Sequence, residues 1–128
     1  MKGLLDTHAL LWMVSSSDRL SAAARNALAD ESSELAFSIA GYWELGIKQS
    51  LGKLHLADGW QELLPQEMTR NRINWLAVEP RHIHEMLTLP WIHRDPFDRL
   101  MVAQARVEGL SIISRDQSLS QYGVPIIW

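Results

Sequence analysis

Four acidic residues along the chain could share one metal-dependent reaction; they are Asp6, Glu44, Asp98 and Asp116. Two carboxylates about 4 Å apart repel by roughly 4 kcal/mol at an effective dielectric constant of about 20, so a cluster of four needs raised pKa values or a bound divalent cation. Hard oxygen ligands without cysteine favour Mg²⁺ or Mn²⁺ over zinc. Such a cation activates water beside a phosphate, so convergence of these acids would predict phosphodiester hydrolysis.

Five apolar segments of strand length alternate with segments of helical character. The predicted strands are residues 2–6, 34–38, 73–78, 110–114 and 125–128, and the predicted helices are residues 21–30, 39–52, 59–71, 80–89 and 96–109. This alternation predicts an α/β fold, with a parallel sheet flanked by helices on both faces. Pro65 lies inside one predicted helix, where proline kinks or splits the chain, so the bounds there are poorly determined.

The acids are placed to meet at one edge of that sheet, because strand C-termini and helix N-termini share an edge where ligands bind. Asp6 ends the first strand, Asp116 follows the fourth, and Asp98 lies in the first turn of a helix. Glu44 lies in the second turn of its helix, but its long side chain points back towards the helix N-terminus and can reach the same edge.

Each acid also has an ordinary structural explanation. Asp95 and Asp98 occupy the N-cap and N3 positions of a helix that begins with proline, where free N–H groups and the helix dipole favour acids. Asp6 and Asp116 could cap the segments that follow them. Glu44 and the lysine four residues later form a common surface ion pair. Spacing alone therefore leaves both interpretations open.

Composition limits the function classes. A chain of 128 residues, 47% hydrophobic, is suited to one domain with a single core. Its net charge of −3 argues against broad electrostatic binding of nucleic acid, although nine of its twelve basic residues are arginines, which bind phosphate well. Zero cysteines exclude disulfides and thiolate metal sites.

The sequence predicts no membrane segment and no zinc site. Asp6 interrupts the apolar N-terminal run too early for a signal peptide, so we expect a cytoplasmic protein. His82 and His84 resemble a metal motif with His93 downstream, but positions i and i+2 of a helix point to different sides and make a poor chelate.

Four blocks of this sequence resemble, in order and spacing, the PIN-domain ribonucleases, in particular the VapC-type toxins of toxin–antitoxin pairs. The blocks are LLDTHALLW, YWELGIKQSLGKL, HRDPFDRLMVAQA and IISRD, and they cover essentially the whole chain, which indicates a single PIN domain over residues 1–128. The resemblance implies a parallel sheet of four or five strands. It also implies an Mg²⁺ or Mn²⁺ site at Asp6, Glu44, Asp98 and Asp116, with Asp95 starting the helix that positions Asp98.

The same resemblance implies a reaction and partners. Metal-activated water would attack an RNA phosphodiester, leaving a 5′-phosphate and a 3′-hydroxyl. Thr7 would orient Asp6 or bind the metal through water, and Arg94, Arg99 and Arg115 are candidate phosphate contacts. We expect a homodimer and a cognate VapB-type antitoxin that occludes the acidic cleft, with operator DNA bound only through the antitoxin.

Two other classes compete with this interpretation. A phospho-acceptor receiver domain has similar length and alternation, but it needs an aspartate at the end of its third strand and a lysine near the end of its fifth. Here Glu79 follows the third strand and no lysine follows Lys53. A catalytically inert PIN-like scaffold would bind RNA or a partner with little dependence on metal; the presence of all four acids ranks it below the nuclease.

Overall fold

The computed structural model describes all residues, 1–128, and contains the five predicted strands. The strands are β1 (Lys2–Leu5), β2 (Glu34–Ser38), β3 (Ile73–Leu76), β4 (Ser111–Ile113) and β5 (Ile126–Ile127). The helices are α1 (Thr7–Val14), α2 (Ala22–Ala29), α3 (Ile39–Ser50), α4 (Trp60–Arg70), α5 (Pro80–Leu87) and α6 (Pro96–Glu108), and a 3₁₀ helix spans Gln117–Tyr122. None of these helices combines the length and apolar character that a transmembrane span requires.

All five strands are parallel, in the order β3-β2-β1-β4-β5. The central strand β1 pairs with β2 on one side, Leu5 opposite Phe37, and with β4 on the other, Leu5 opposite Ile113. The chain first builds outwards from β1 to β3 and then returns to build β4 and β5, so a topological switch point lies between β1 and β4. This order confirms the predicted parallel α/β sheet and differs from the 2-1-3-4-5 order of receiver domains.

The core has two halves because alternate side chains of the central strands point to opposite faces. Leu5 and Ile113 lie in a cluster with residues of α1, α2, α3 and α4. Leu4 and Ile112 lie in a second cluster with residues of α5–α6 and of the 3₁₀ helix. Helices therefore cover both faces, as predicted, and the two halves hold the strand ends in a fixed relation.

Local capping chemistry starts the helices where the sequence predicts. The side chains of Asp6, Ser21, Ser38 and Asp95 each accept a hydrogen bond from a backbone N–H in the first turn of the helix that follows. Each cap satisfies a donor that the helix itself leaves free. Pro65 does not end α4, which continues to Arg70 while its neighbours Leu64 and Met68 are buried in the core.

Candidate active site

A cavity of about 300 Å³ lies at the C-terminal edge of the sheet, beside the switch point. Its lining includes all four acids that the sequence predicts to converge, together with Asp95. Asp6 follows β1 and Asp116 follows β4, while Glu44 and Asp98 come from α3 and α6. The structure thus brings these four carboxylates to one space, from four separate elements.

Asp6 is both a helix cap and part of this cavity. Its Oδ1 accepts a hydrogen bond of 2.7 Å from the amide of Ala9 in the first turn of α1. Burial raises the pKa of Asp6, hydrogen bonds from Ser114 and Ala9 oppose that rise, and the neighbouring Glu44 adds to it. The capping and cavity-lining interpretations therefore apply to the same residue.

Glu44 is the most deeply buried of the four acids, with 7% of its surface exposed. The Thr7 hydroxyl donates to its Oε1 at 2.6 Å, and Lys48 Nζ lies 3.1 Å from its Oε2. Thr7 thus contacts Glu44, whereas the family resemblance implied that it orients Asp6 or binds the metal through water. Gly41, one turn before, allows α3 to approach β2, since a Cβ there would lie 2.8 Å from the ring of Phe37.

Asp98 lies in the first turn of α6, which Asp95 caps. Asp95 Oδ1 accepts from the amides of Phe97 at 2.7 Å and Asp98 at 3.2 Å, as its predicted N-cap role requires. Burial, followed by repulsion from Asp95 and Glu44, raises the pKa of Asp98 from 3.8 to about 6. The raised pKa of Asp98 thus reflects its partial burial first and the neighbouring acids second.

A hydrogen-bond network fixes Asp116 at the opposite wall. The hydroxyl and the amide of Ser118 both donate to Asp116 Oδ1, and His93 Nε2 lies 3.3 Å from Oδ2. The Tyr122 hydroxyl accepts from the His93 amide and is left to donate to Nδ1, so Nε2 carries the ring proton and donates. Partial burial raises the pKa of Asp116, but the hydrogen bonds from Ser118 and His93 outweigh it and hold that pKa below its usual range.

The three predicted phosphate-binding arginines have different surroundings. Arg99 is 5% exposed, and its guanidinium stacks on Trp91 at 3.9 Å. It donates to the backbone carbonyls of Met86, Leu89, Pro90 and His93. The predicted phosphate contact at Arg99 therefore competes with donors that the chain itself already uses. Arg94 is exposed and lines no part of the cavity, whereas Arg115 lines an adjoining depression.

His82 is held in a separate cluster away from the cavity. Its Nδ1 accepts from the Glu79 amide at 3.0 Å and its Nε2 faces Glu108 Oε1 at 2.9 Å. These three side chains approach closely enough to surround an ion. Both ring nitrogens already have partners, however, and Arg81 forms ion pairs with both glutamates. The cluster therefore links α5 to α6 through ion pairs and hydrogen bonds.

Three polar residues that line the cavity were not predicted from the sequence. Ser38 is the last residue of β2 and Ser114 directly follows β4; both are buried, at positions that the strand ends alone could have indicated. Gln104 of α6 is fully buried; its Nε2 donates to Ala77, and its Oε1 has no hydrogen-bond partner. No local signal marks Gln104, because its role depends on how α6 packs.

Comparison with solved structures shows the same fold at low sequence identity. The VapBC2 complex of Rickettsia felis bound to a promoter DNA fragment matches with a TM-score of 0.74 and 13% identity, over 98% of this chain and 97% of that one. A toxin–antitoxin complex from Klebsiella pneumoniae matches with a TM-score of 0.65 and 18% identity, over 98% and 96%. VapBC-1 from nontypeable Haemophilus influenzae matches with a TM-score of 0.65 and 17% identity, over 98% and 96%.

A search of curated proteins finds no significant match. A sequence model of the PIN domain family, in contrast, matches residues 3–125, which is nearly the whole chain. That span contains all four cavity acids and strands β1 to β4 except for Lys2, and β5 follows it directly. The chain therefore belongs to the PIN domain family.

Proposed function

We propose that this protein is a divalent-metal-dependent endoribonuclease, the VapC-type toxin of a toxin–antitoxin pair. PIN domains are generally nucleases, and the similar solved structures are toxin–antitoxin complexes. The observation that carries the proposal is the convergence of Asp6, Glu44, Asp98 and Asp116 on one cavity at the switch point of the sheet.

The charges of the cavity favour a bound cation. Five acids line it, whereas Lys48 is its only lysine or arginine and is paired with Glu44. Burial, and then repulsion from the neighbouring acids, raises the pKa of Asp98 to about 6, and a divalent cation would lower that pKa again. Gln104, whose buried Oε1 has no hydrogen-bond partner, also lines this cavity.

The donors fit Mg²⁺ or Mn²⁺, which prefer hard oxygen ligands. Asp6, Glu44, Asp98 and Asp116 are the residues that would hold the ion. When bound, such an ion supplies activated water and stabilises charge on a phosphate.

The chain's own residues prepare the site by fixing these carboxylates. Thr7 and Lys48 hold the two oxygens of Glu44, so this side chain needs little reorganisation. Ser118 and His93 hold Asp116 ionised, and Asp95 fixes the start of the helix that carries Asp98. Arg115, at the edge of the cavity, is the remaining predicted arginine in position to meet a phosphate.

Partners and location follow from the same proposal. An RNA-cleaving toxin acts in the cytoplasm, and its activity must be restrained by a VapB-type antitoxin made as a separate chain. We expect a homodimer of this chain and contact with operator DNA only through the antitoxin. Support for the antitoxin comes from the structurally similar VapBC complexes, one of them solved with promoter DNA.

The test is cleavage of a panel of single-stranded and structured RNAs in Mg²⁺, Mn²⁺ or EDTA. We expect metal-dependent cleavage by the wild type, and at least a hundredfold loss in Asp98→Asn, which keeps the side-chain volume but removes the charge. Asp95→Asn is the matched control, because asparagine also caps helices and should retain most activity. Cleavage that survives EDTA or Asp98→Asn, or no cleavage of any RNA by folded wild type, would contradict the proposal.

A further inference from the structure

A second depression adjoins the acidic cavity. It has a volume of about 300 Å³ and is lined by Asp6, His8, Trp12, Arg115 and Asp116; we call it the annex. Asp6, His8 and Asp116 line both spaces, so the annex is a continuation of the cavity. A polymer whose reacting phosphate lay among the acids would place its neighbouring unit in the annex.

One wall of the annex is aromatic. The ring centroids of His8 and Trp12 lie 5.5 Å apart, with His8 exposed and Trp12 partly buried against the core. Trp12 is supported by Trp128, whose ring centroid is 5.6 Å away, and Arg19 lies 5.9 Å from its centre. This packing restricts the motion of the Trp12 side chain. Binding of a planar ring would therefore cost little free energy for ordering the wall.

The annex also contains an arginine side chain that has no partner in the protein. Arg115 is exposed and forms no ion pair or side-chain hydrogen bond, although it is next in sequence to Asp116. Arginine binds phosphate oxygens through two parallel hydrogen bonds, and it retains its charge at any physiological pH. A cation left free in a chain of net charge −3 is available for an anionic ligand.

An aromatic wall and a free arginine are the two elements that bind one nucleotide of a single strand. Bases stack on aromatic side chains without regard to sequence, and a cation tracks the phosphate. Resting on the function proposed above, we propose that the annex binds the nucleotide beside the scissile phosphate, its base against His8 and Trp12 and its phosphate on Arg115. The annex would then select unpaired RNA, because a base held in a duplex cannot reach the wall.

Binding can be measured apart from cleavage in the Asp98→Asn protein, using fluorescence anisotropy with a labelled single-stranded RNA of mixed sequence. Adding Trp12→Leu should weaken binding roughly 5- to 150-fold, the usual effect of removing one stacking partner. Trp12→Phe should retain most of the affinity. Adding Arg115→Met should weaken binding and reduce its dependence on salt by about one phosphate contact.

Control variants separate the annex from general effects. Leu87→Ala and Arg70→Met alter exposed residues that line neither space and should bind as the parent does. Thermal unfolding identifies any variant that fails to fold, and Arg115→Met, at an exposed position, keeps the test independent of core packing around Trp12. The proposal is overturned if folded Trp12→Leu and Arg115→Met bind like the parent, which would leave the annex as a contact for a protein segment.

Failure of the annex and failure of the nuclease give different results. Annex-dependent RNA binding without any cleavage by the wild type would refute the nuclease and support the annex. Cleavage by the wild type with affinity unchanged in both annex variants would support the nuclease and refute the annex.

Discussion

The pKa values of Asp6, Asp98 and Asp116 shift differently because these three carboxyl groups have different surroundings. Ser118 and His93 donate to Asp116 and hold its pKa low, whereas Asp98 is partly buried beside other acids and has a pKa of about 6. An acid with such a pKa is neutral for part of the time near pH 6, when no cation is bound. Protonation of Asp98 therefore changes the net charge of the cavity near pH 6.

The raised pKa of Asp98 makes stability depend on pH. The folded state binds the Asp98 proton more tightly than the unfolded state, where the pKa is near 3.8, so this contribution is full below about pH 4 and is lost as pH rises through about 6. After a discount for the partial exposure of Asp98, the free energy of unfolding falls by about 1 kcal/mol over this pH range. Asp98→Asn cannot ionise and should therefore melt a few degrees higher than wild type at pH 7.5 in EDTA, and at the same temperature near pH 4.

Melting curves of both proteins from pH 4 to 8 check this expectation. Glu62→Gln serves as the control, since it removes the same charge from the first turn of α4, at an exposed position outside the cavity. A lower melting temperature for Asp98→Asn at pH 7.5 would show instead that its carboxylate is stabilising in the folded protein.

At the scale of elements, Arg99 joins α6 to the segment that precedes it. Residues 88–95 connect α5 to α6, and the Arg99 guanidinium collects carbonyls along this connector and from the last turn of α5. One side chain thereby satisfies acceptors that the irregular backbone cannot pair by itself. The N-terminus of α6, with Asp98, is positioned by that contact.

Replacing Arg99 should accordingly damage the fold. Arg99→Met leaves several partly buried carbonyls without donors, and we expect a loss of about 2–4 kcal/mol in the free energy of unfolding. Arg94→Met, at an exposed position of the same connector, should change it by less than about 0.5 kcal/mol. Urea unfolding measures both; a fully stable Arg99→Met that loses only RNA affinity would restore the original phosphate-binding prediction.

Local signals in the sequence predicted the elements, but not the contacts between them. The caps at Asp6, Ser21, Ser38 and Asp95 were identifiable because a cap and its helix are adjacent in sequence. Arg99 was predicted to contact phosphate because it follows Asp98, but successive helix residues are turned by about 100° and face different surroundings. The Thr7 contact with Glu44 was equally hidden, since 37 residues separate them.

For the whole molecule, the site depends on the order of the sheet. The alternation of elements predicted a parallel sheet and the edge at which the four acids meet, and the family resemblance implied that these acids hold a metal. Neither gives the order β3-β2-β1-β4-β5, which places the ends of β1 and β4 side by side. Strand order depends on long-range pairing, and no local pattern encodes it.

A cation bound by Asp6, Glu44, Asp98 and Asp116 would link four elements of the domain that are distant in sequence. Since only the folded chain assembles these ligands, Mg²⁺ should raise the melting temperature, by an amount equivalent to about 2.7 kcal/mol at a hundred times its dissociation constant. Asp6→Asn should lose most of this effect. Melting in MgCl₂ against NaCl of equal ionic strength measures it, and equal stabilisation of wild type and Asp6→Asn would argue against a site at these acids.

The pairing of β1 with β4 also sets the order in which a growing chain can become active. Gly3 of β1 pairs with Ser111 of β4. The central strand β1 is therefore synthesised more than a hundred residues before the strand with which it pairs. A ribosome-bound chain that has not reached residue 116 lacks one wall of the cavity and the strand that closes the switch point. Vectorial synthesis thus delays assembly of the site until nearly all of the domain has emerged, which would protect the ribosome and message producing it.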